Sequence, residues 1–299
     1  MTVGRFAPSP SGRMHLGNIF TALLAWLSVR SQGGKMFLRI EDLDPQRSKP
    51  EYISALREDL KWLGLDWDGE MPLQSSREAV YRFFFEKLPV YPCYCSRNEL
   101  HAASAPHASD GKFVYAGACR SLTEEEKAQK DKAPAWRVEV PNREVHFTDG
   151  VFGEYRENLA KDCGDFIMRR SDGVYAYQLA VVCDDALGGV TEVVRGCDLL
   201  DSTPRQIWLY EALGFAVPQF YHVPLLVAPD GKRLSKREKS LDIEALKENH
   251  TPQAVIGKLA HTAGLSEDDA PITPTELLPL FSWKKIRKEN IVISPEGWG

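Results

Sequence analysis

RFAPSPSGRMHLGN, residues 5–18, is the stretch of sequence that decides the fold of this chain. It continues a short β-prone segment that ends at Phe6, and its two prolines and first glycine are typical of a connection between elements. From Leu16 onward, apolar side chains recur with helical spacing at positions 16, 19, 20, 23, 24 and 27. The stretch therefore predicts a strand, a loop and a helix in that order.

The next residues extend this unit to a strand-helix-strand motif. Gln32-Gly33-Gly34 is a helix-ending signal, and residues 35–40 have the character of a second strand. Such a unit builds parallel sheets, so we predict an α/β fold. Glu41-Asp42 would lie at the carboxyl end of the second strand, where ligands bind in open α/β sheets.

Changes of pattern divide the remaining chain. Two helical patterns precede residue 92, and residues 92–165 are richer in cysteine, small and charged residues, as in an inserted subdomain. Alternating α/β patterns return at residue 166, with Thr203-Pro204 as a predicted helix N-cap and first turn. A basic loop and a tail with two helices follow, one of them started by Thr251-Pro252. The predicted units are residues 1–91, 92–165, 166–225 and 226–299.

Composition restricts the class of protein. The 299 residues are 43% hydrophobic and 26% charged, which excludes a disordered or fibrous chain. No apolar run approaches the roughly 18 residues of a membrane helix, and the N-terminus lacks a signal-peptide pattern. The net charge of -5 gives no global attraction to nucleic acid. We expect a monomeric cytoplasmic enzyme without a membrane partner, whose six cysteines are thiols or metal ligands.

Two segments have the chemistry of a phosphate site. His15 and Gly17 at the amino end of a helix would face phosphates with bare backbone and a hydrogen-bond donor. The loop KRLSKR, residues 232–237, would close over a triphosphate and neutralise charge as pyrophosphate leaves. The residues alone also allow a plain turn with a surface histidine, and a solvated basic patch or nonspecific RNA contact.

Together these segments resemble the two signatures of class I aminoacyl-tRNA synthetases. HLGN at 15–18 is similar to the HIGH motif, and RLSKR at 233–237 is similar to the KMSKS motif. RFAPSPSG at 5–12, LRIEDLD at 38–44 and VVRGCDLLDSTPRQ at 193–206 narrow the resemblance to the glutamyl-tRNA synthetase group. The resemblance covers nearly all of residues 1–240. It implies a Rossmann-like parallel sheet with an inserted zinc subdomain and a short helical C-terminal segment.

The resemblance also implies the substrate sites. Glutamate would be held by guanidinium groups for its carboxylates, an acidic group for its ammonium and a tyrosine hydroxyl, because buried charges need partners. These residues are Arg5, Phe6, Ala7, Pro8, Ser9, Glu41, Tyr177 and Arg195. ATP would be bound by His15, Gly17, Asn18, Arg233, Leu234, Ser235, Lys236 and Arg237, with His15 and Lys236 as catalytic residues and Mg²⁺ accompanying ATP. Mutual salt bridging, for example between Arg5 and Glu41, is the structural alternative.

A structural zinc site is implied by Cys93, Cys95, Tyr115 and Cys119. Three thiolates and a phenolate make a closed tetrahedral site, which is structural rather than catalytic. The cysteines could instead be small buried hydrophobic residues, and His101 or His107 could replace the tyrosine. Cys163, Cys183 and Cys197 lack metal-ligand spacing, and we expect them in the core.

The resemblance is strongest to the short paralogues of the group. Residues 240–299 are too few for an anticodon-binding domain of usual size, and Val181 replaces an asparagine common in the full-length enzymes. The paralogues activate glutamate with ATP without needing tRNA, and transfer it to queuosine at the wobble position of tRNA(Asp). A truncated glutamyl-tRNA synthetase that charges the tRNA 3′ end and a catalytically silent tRNA-binding paralogue are the alternatives.

Overall fold

The predicted strand-helix-strand unit is present at the N-terminus of the computed structural model, which describes residues 1–96, 114, 115, 117–232, 234 and 241–298. Strand β1 (Val3–Phe6) and strand β2 (Lys35–Leu38) are joined by helix α1 (Leu16–Ser31) and pair in parallel. The helix ends at Gln32, because Gly33 adopts a left-handed φ of 64°. Parallel pairing places the loop after β1 and the residues after β2 at one edge.

Helix α1 is the centre of one hydrophobic cluster. Most of its side chains are buried, so it is apolar nearly all round. Its last turn is fixed at the surface by Arg30, which forms ion pairs with Asp66 at 3.0 Å and Asp68 at 2.7 Å. The first segment is completed by α2 (Pro50–Trp62), β3 (Gly69–Glu70), which extends the parallel sheet beside β2, and α3 (Glu78–Phe85).

The described strands in the middle of the chain pair in antiparallel fashion. The elements of this segment are β4 (Val90–Cys93), α4 (Glu124–Ala128), β5 (Ala135–Val138), β6 (Glu144–Asp149), β7 (Gly153–Asn158), a π-helical turn (Leu159–Cys163) and β8 (Phe166–Arg169). A three-stranded sheet has the order β4-β5-β8, and β6 and β7 form a hairpin.

The next segment returns to parallel pairing. Strands β9 (Glu192–Gly196) and β10 (Gln219–Val223) pair in parallel, and the amide of Thr191 donates to the Val3 carbonyl at 2.9 Å. The β9 segment therefore lies beside β1, with the carboxyl ends of both strands near the same edge. The segment also contains α5 (Tyr177–Leu187), a 3₁₀ helix (Cys197–Ser202), α6 (Thr203–Ala212) and β11 (Leu226–Val227).

One predicted helix cap in this segment is wrong. Helix α6 begins at Thr203 itself, and Ser202 occupies the N-cap position without a side-chain cap. The Thr203 hydroxyl instead accepts a hydrogen bond from Arg195 at 2.8 Å. A buried guanidinium in need of acceptors takes precedence over the local capping pattern.

The tail contains α7 (Ile243–Asn249), α8 (Pro252–Ala263) and α9 (Pro274–Leu277). The Thr251 cap is confirmed, because its hydroxyl accepts from the Ala254 amide at 3.3 Å. The tail also contains a strand that the sequence analysis did not predict, β12 (Ile291–Val292), which pairs in parallel with β11. Two residues are too few to show strand periodicity in the sequence.

A second hydrophobic cluster packs around α3, α5 and α6 and contains the buried Cys163 and Cys183, as predicted. Cys197 was expected in the core but is only half-buried, with its sulfur 3.6 Å from the Asn290 side-chain oxygen in the tail. No helix within the described part of the chain combines the length and apolar character needed to cross a membrane.

Candidate active site

A cavity of about 920 Å³ opens at the edge where β1, β2 and β9 end. Its size is in the range of sites for small ligands and cofactors. Every predicted glutamate- or ATP-binding residue that the structure describes lines it, namely Arg5, Phe6, Ala7, Pro8, Ser9, His15, Gly17, Asn18, Glu41, Tyr177, Arg195 and Leu234. Arg233, Ser235, Lys236 and Arg237 lie outside the described residues.

One end of the cavity is formed by the amino end of α1. His15 is the N-cap residue, its Nδ1 accepts from the Gly17 amide at 3.2 Å, and its own amide donates to Asn18 Oδ1 at 3.2 Å. Because Nδ1 accepts, a neutral ring carries its proton on Nε2, where it is a donor. A Cβ at position 17 would lie 3.1 Å from the His15 ring, which explains the glycine there. The helix amino end and this donor favour an anion.

The segment KRLSKR at residues 232–237 is termed the lysine loop. The described residues near its two ends line the cavity or contact the turn that contains His15. The Leu234 amide donates to the Leu226 carbonyl at 3.4 Å, and Leu234 lines the cavity. After the loop, Asp242 bridges His15 in an antiparallel arrangement, and the Ile243 amide donates to the Met14 carbonyl at 3.0 Å. The chain after the loop therefore contacts the histidine turn, and Leu234 lines the same cavity; the contribution of Lys236 to this site stays a prediction.

The other end of the cavity is a network of buried charges. Arg5 Nε donates to Asp185 Oδ1 at 3.0 Å, and the fully buried Arg39 bonds both Asp185 and Glu41, the latter at 3.0 Å. The alternative pair of Arg5 with Glu41 is not formed; each has another partner. Burial would raise the pKa of Asp185, but Arg39 and Arg5 hold it below its usual range. Burial raises the pKa of Glu41 despite Arg39.

Arg195, on β9, is held by neutral acceptors among the described residues. Its Nε donates to His222 Nε2 at 3.1 Å, its Nη1 to Gln206 Oε1 at 2.6 Å, and its Nη2 to Thr203 Oγ1 at 2.8 Å. The arginine is 5% exposed, so these acceptors replace water around a buried cation. Tyr177, at the start of α5, lines the cavity nearby, and burial raises the pKa of its hydroxyl.

Backbone bonds fix the loop after β1 against the end of β2. The Arg39 amide donates to the Phe6 carbonyl at 2.9 Å, and the Glu41 amide donates to the Pro8 carbonyl at 3.0 Å. The parallel ladder thus continues past the regular strands and brings the Glu41 carboxylate to the loop of residues 7–9. Prolines in this loop fix its backbone without removing a needed donor.

Sequence reasoning missed several residues. Arg47 and Asp198 are exposed side chains that also line the cavity. Arg39, Asp185 and His222 do not line the cavity, but each is hydrogen-bonded to a predicted site residue. Arg39 lies within the quoted LRIEDLD stretch, two residues from Glu41, and that proximity was a usable signal; His222 and Asp185 are distant from their partners along the chain.

The cysteine cluster lies apart from the cavity-lining residues. Cys93, Cys95 and Cys119 place their sulfurs within 4.8 Å of one another, and the Tyr115 hydroxyl is 3.4 Å from Cys93 Sγ and 3.7 Å from Cys95 Sγ. Burial raises the pKa of the Cys93 thiol, but hydrogen bonds from Tyr115, Cys95 and Arg137 outweigh it, so the pKa is lowered. Zinc–sulfur bonds of about 2.3 Å in a tetrahedron separate the sulfurs by about 3.8 Å. The donor set fits zinc. His101 and His107 lie outside the described residues.

The fold and the cavity define a class of protein. The family model "tRNA synthetases class I (E and Q), catalytic domain" matches residues 1–288, and the chain belongs to this family. A crystal structure of a glutamate tRNA ligase from Elizabethkingia meningosepticum, in complex with its amino acid, is similar with a TM-score of 0.81 and 28% identity over 99% of this chain and 67% of that chain. The predicted α/β class is confirmed as a class I synthetase fold.

The relatives within the family are more specific. A glutamyl-Q tRNA(Asp) synthetase from Symbiobacterium thermophilum is 49% identical over 99% of this chain and 97% of its own length. A glutamyl-Q tRNA(Asp) synthetase from Deinococcus radiodurans is 47% identical over 94% of this chain and 97% of its own length. The predicted resemblance to the glutamyl-tRNA synthetase group and its short paralogues is therefore confirmed.

Proposed function

We propose that this chain activates L-glutamate with ATP in the absence of tRNA and transfers the glutamyl group to queuosine at the wobble position of tRNA(Asp). The observation that carries the proposal is the single cavity that joins the His15 turn, the charged glutamate site and Leu234 of the lysine loop. The relatives named above support the acceptor. ATP, glutamate and tRNA are all cytoplasmic, and we place the activity there.

The charges that line the cavity complement an acidic amino acid. Arg5 and Arg195 are buried, and the Glu41 side chain is 12% exposed. Two guanidiniums and one carboxylate match the two carboxylates and one ammonium of glutamate. Tyr177 and the loop of residues 6–9 would complete the contacts. A neutral amino acid has one carboxylate fewer, so one of the two arginines would keep its protein partners but gain no substrate carboxylate, and binding would be weaker.

Activation requires positioning and charge neutralisation rather than a general base. The α-carboxylate of glutamate has an ordinary pKa of about 3.5 and is ionised at neutral pH. It attacks the α-phosphorus of ATP, an oxygen–phosphorus bond forms, and pyrophosphate leaves with the bonding electron pair. Nε2–H of His15 would donate to a phosphate oxygen, and Lys236 would neutralise the leaving charge. Mg²⁺ bound with ATP supplies further neutralisation of phosphate charge.

Transfer completes the reaction. A hydroxyl of the queuosine cyclopentenediol attacks the carbonyl carbon of glutamyl adenylate and AMP leaves, so the anticodon loop must reach the cavity. The tail presents exposed cations for such an RNA, namely Lys284, Lys285, Arg287 and Lys288. Trp283 anchors this basic segment, because its ring stacks on Tyr221 at 4.5 Å and its Nε1 donates to Ser28 at 3.0 Å.

The proposal extends to the organisation of the chain. Residues 1–91 and 166–225 form the two halves of a Rossmann-like catalytic domain, and the parallel pairs β1-β2-β3 and β9-β10 support this. Residues 92–165 form the inserted subdomain, with a structural zinc held by Cys93, Cys95, Tyr115 and Cys119, and the close thiols support it. Residues 226–299 carry the lysine loop and the tail.

Two measurements test the function. Glutamate-dependent exchange of pyrophosphate into ATP without tRNA should be observed, with glutamine and aspartate as control substrates; absence of exchange would exclude activation. Mass spectrometry of nuclease fragments should then locate the glutamyl group on the queuosine nucleotide. Glutamate on the terminal adenosine instead would indicate a glutamyl-tRNA synthetase that charges the 3′ end. If the protein binds tRNA but shows neither pyrophosphate exchange nor glutamyl transfer to tRNA, it is a catalytically silent paralogue.

A further inference from the structure

His222, on β10, is a fully buried histidine that contacts a predicted substrate-binding arginine. Its Nε2 lies 3.1 Å from Arg195 Nε, and its Nδ1 lies 2.6 Å from Asp149 Oδ2. Asp149 ends strand β6 and is 2% exposed. A chain of three side chains therefore runs from the β6-β7 hairpin to the glutamate end of the cavity.

The contacts fix where the proton on the imidazole lies. A guanidinium donates hydrogen bonds and accepts none, so His222 Nε2 must be the acceptor from Arg195. The ring proton is then on Nδ1, and it is donated to Asp149. The aspartate is held as a carboxylate by the amides of Val151 at 3.0 Å and Phe152 at 2.9 Å. Burial lowers the pKa of His222, in agreement with a neutral ring.

We propose that His222, with its tautomer fixed by Asp149, is a positioning residue that orients Arg195 toward the substrate carboxylate. The inference rests on the proposed function, in which Arg195 binds glutamate. His222 holds the Nε edge of the guanidinium, while Gln206 and Thr203 hold its two terminal nitrogens. With all three edges held, the plane of the guanidinium is fixed before glutamate arrives, which reduces the cost of binding.

Removal of the histidine acceptor should affect binding more than chemistry. Without it, Arg195 Nε would be a buried donor with no partner, and the guanidinium would turn away from its binding position. Because Gln206 and Thr203 remain, the loss should be partial. We expect the KM for glutamate to rise by about tenfold, while kcat and the KM for ATP change little.

The experiment compares His222→Phe, which keeps a flat ring but no acceptor, with His222→Gln, whose amide oxygen can reach the position of Nε2. The control is His250→Phe, which removes another histidine hydrogen bond, to the Trp298 carbonyl at 2.9 Å, remote from the network. Pyrophosphate exchange is measured against glutamate and against ATP, and thermal unfolding is recorded for each variant. His222→Phe should show the raised KM, His222→Gln should restore most of it, and His250→Phe should match the wild type.

The outcomes distinguish a failure of the proposed function from a failure of the positioning role of His222. Wild-type protein without glutamate-dependent exchange would overturn the proposed function and the role of Arg195 with it. Active wild type with an unchanged KM in His222→Phe, or with kcat reduced equally in both His222 variants, would overturn only the positioning role. Nitrogen-15 NMR of the wild-type ring gives a second test that needs no variant, even if His222→Phe does not fold. A proton on Nδ1 supports the inference, and a proton on Nε2 refutes it.

Discussion

The two ends of the cavity differ in the chemical groups that form them. At the glutamate end, buried arginines and carboxylates are already paired with one another before any substrate binds, as in the bonds of Asp185 with Arg5 and Arg39. At the nucleotide end, the groups are a helix amino terminus, the ring of His15 and the flanks of a basic loop. The first end is a part of the folded core, whereas the second lies on loops.

This difference assigns different tasks to the two ends. Buried charges in fixed positions recognise a small charged molecule, and their removal disturbs the fold as well as binding. Under the proposed function, cations on loops would contribute when charge develops on the leaving pyrophosphate, so we expect their removal to lower the rate and leave stability intact. Variants at the two ends should therefore separate stability from catalysis.

The largest effect is expected for Asp185→Asn. The substitution removes the carboxylate that pairs with both buried arginines, Arg5 and Arg39, and breaking such a buried pair costs about 3–5 kcal/mol. Thermal and urea unfolding should show a marked loss of stability together with loss of glutamate-dependent exchange. Glu70→Gln is the control, since its pair with Arg57 is about one-third exposed and should contribute less than about 1 kcal/mol. If the two variants were equally stable, the buried pairs at the glutamate end would contribute no more to stability than an exposed pair. The proposed structural role of the glutamate end would then be wrong.

Lys236→Ala tests the nucleotide end. If the lysine neutralises the leaving phosphate, kcat for pyrophosphate exchange should fall by about 10²-fold. The unfolding temperature should match the wild type, because the expected role is confined to the transition state. Lys61→Ala, which removes an exposed lysine on α2, should change neither quantity. A kcat within twofold of the wild type would contradict the assignment of Lys236.

The sequence predicted those parts of the molecule whose signals are local. Periodicity located α1, and proline with threonine located the start of α8. The residues that line the cavity could be selected because their motifs occur in recognisable stretches, and parallel pairing brings the ends of those stretches to one edge. Side chains that are hydrogen-bonded to cavity-lining residues without lining the cavity themselves could not be predicted. Asp185 is far along the chain from Arg5, and Asp149 is far from Arg195, so no local pattern connects them.

Local rules failed where buried groups compete for partners. Thr203 has the pattern of an N-cap, yet its hydroxyl is used by Arg195. The β12 strand is too short to show a periodicity of its own, and it is recognised only by its pairing with β11. These outcomes depend on tertiary contacts, which a single sequence does not contain.

Cys119→Ser extends the comparison to a region outside the cavity. A serine hydroxyl is a poor substitute for a thiolate, so zinc affinity should fall by at least about a hundredfold. Stability should fall as well, while the KM for glutamate of the remaining folded protein should stay near the wild-type value. Metal analysis of freshly purified protein, with Cys163→Ser as the matched control, measures the effect. Wild-type protein without zinc would refute the structural metal.

The ionisation of Glu41 gives a pH test of the glutamate end. Burial raises the pKa of this carboxyl, with Arg39 and Arg5 opposing and Asp185 adding to the rise. A proton on Glu41 removes the charge that would hold the substrate ammonium, so the KM for glutamate should rise as the pH falls toward this raised pKa. We expect about a tenfold rise per pH unit well below it. The Glu41→Gln variant should bind glutamate weakly with no such dependence; a parallel dependence in both would exclude Glu41.

The smallest effect is expected from the basic tail, whose exposed cations would contact RNA phosphates under the proposed function. Each lysine or arginine that neutralises a phosphate contributes about 0.7–0.9 to the slope of log affinity against log salt. Replacement of Lys284, Lys285, Arg287 and Lys288 by glutamine should therefore lower that slope for tRNA, while pyrophosphate exchange is unchanged. Glutamine at the exposed Lys35, Lys49, Lys61 and Lys87 removes the same charge from residues without a proposed RNA role. If both quadruple variants lower the slope equally, tRNA is attracted by net charge alone. If neither does, the tail makes no phosphate contacts.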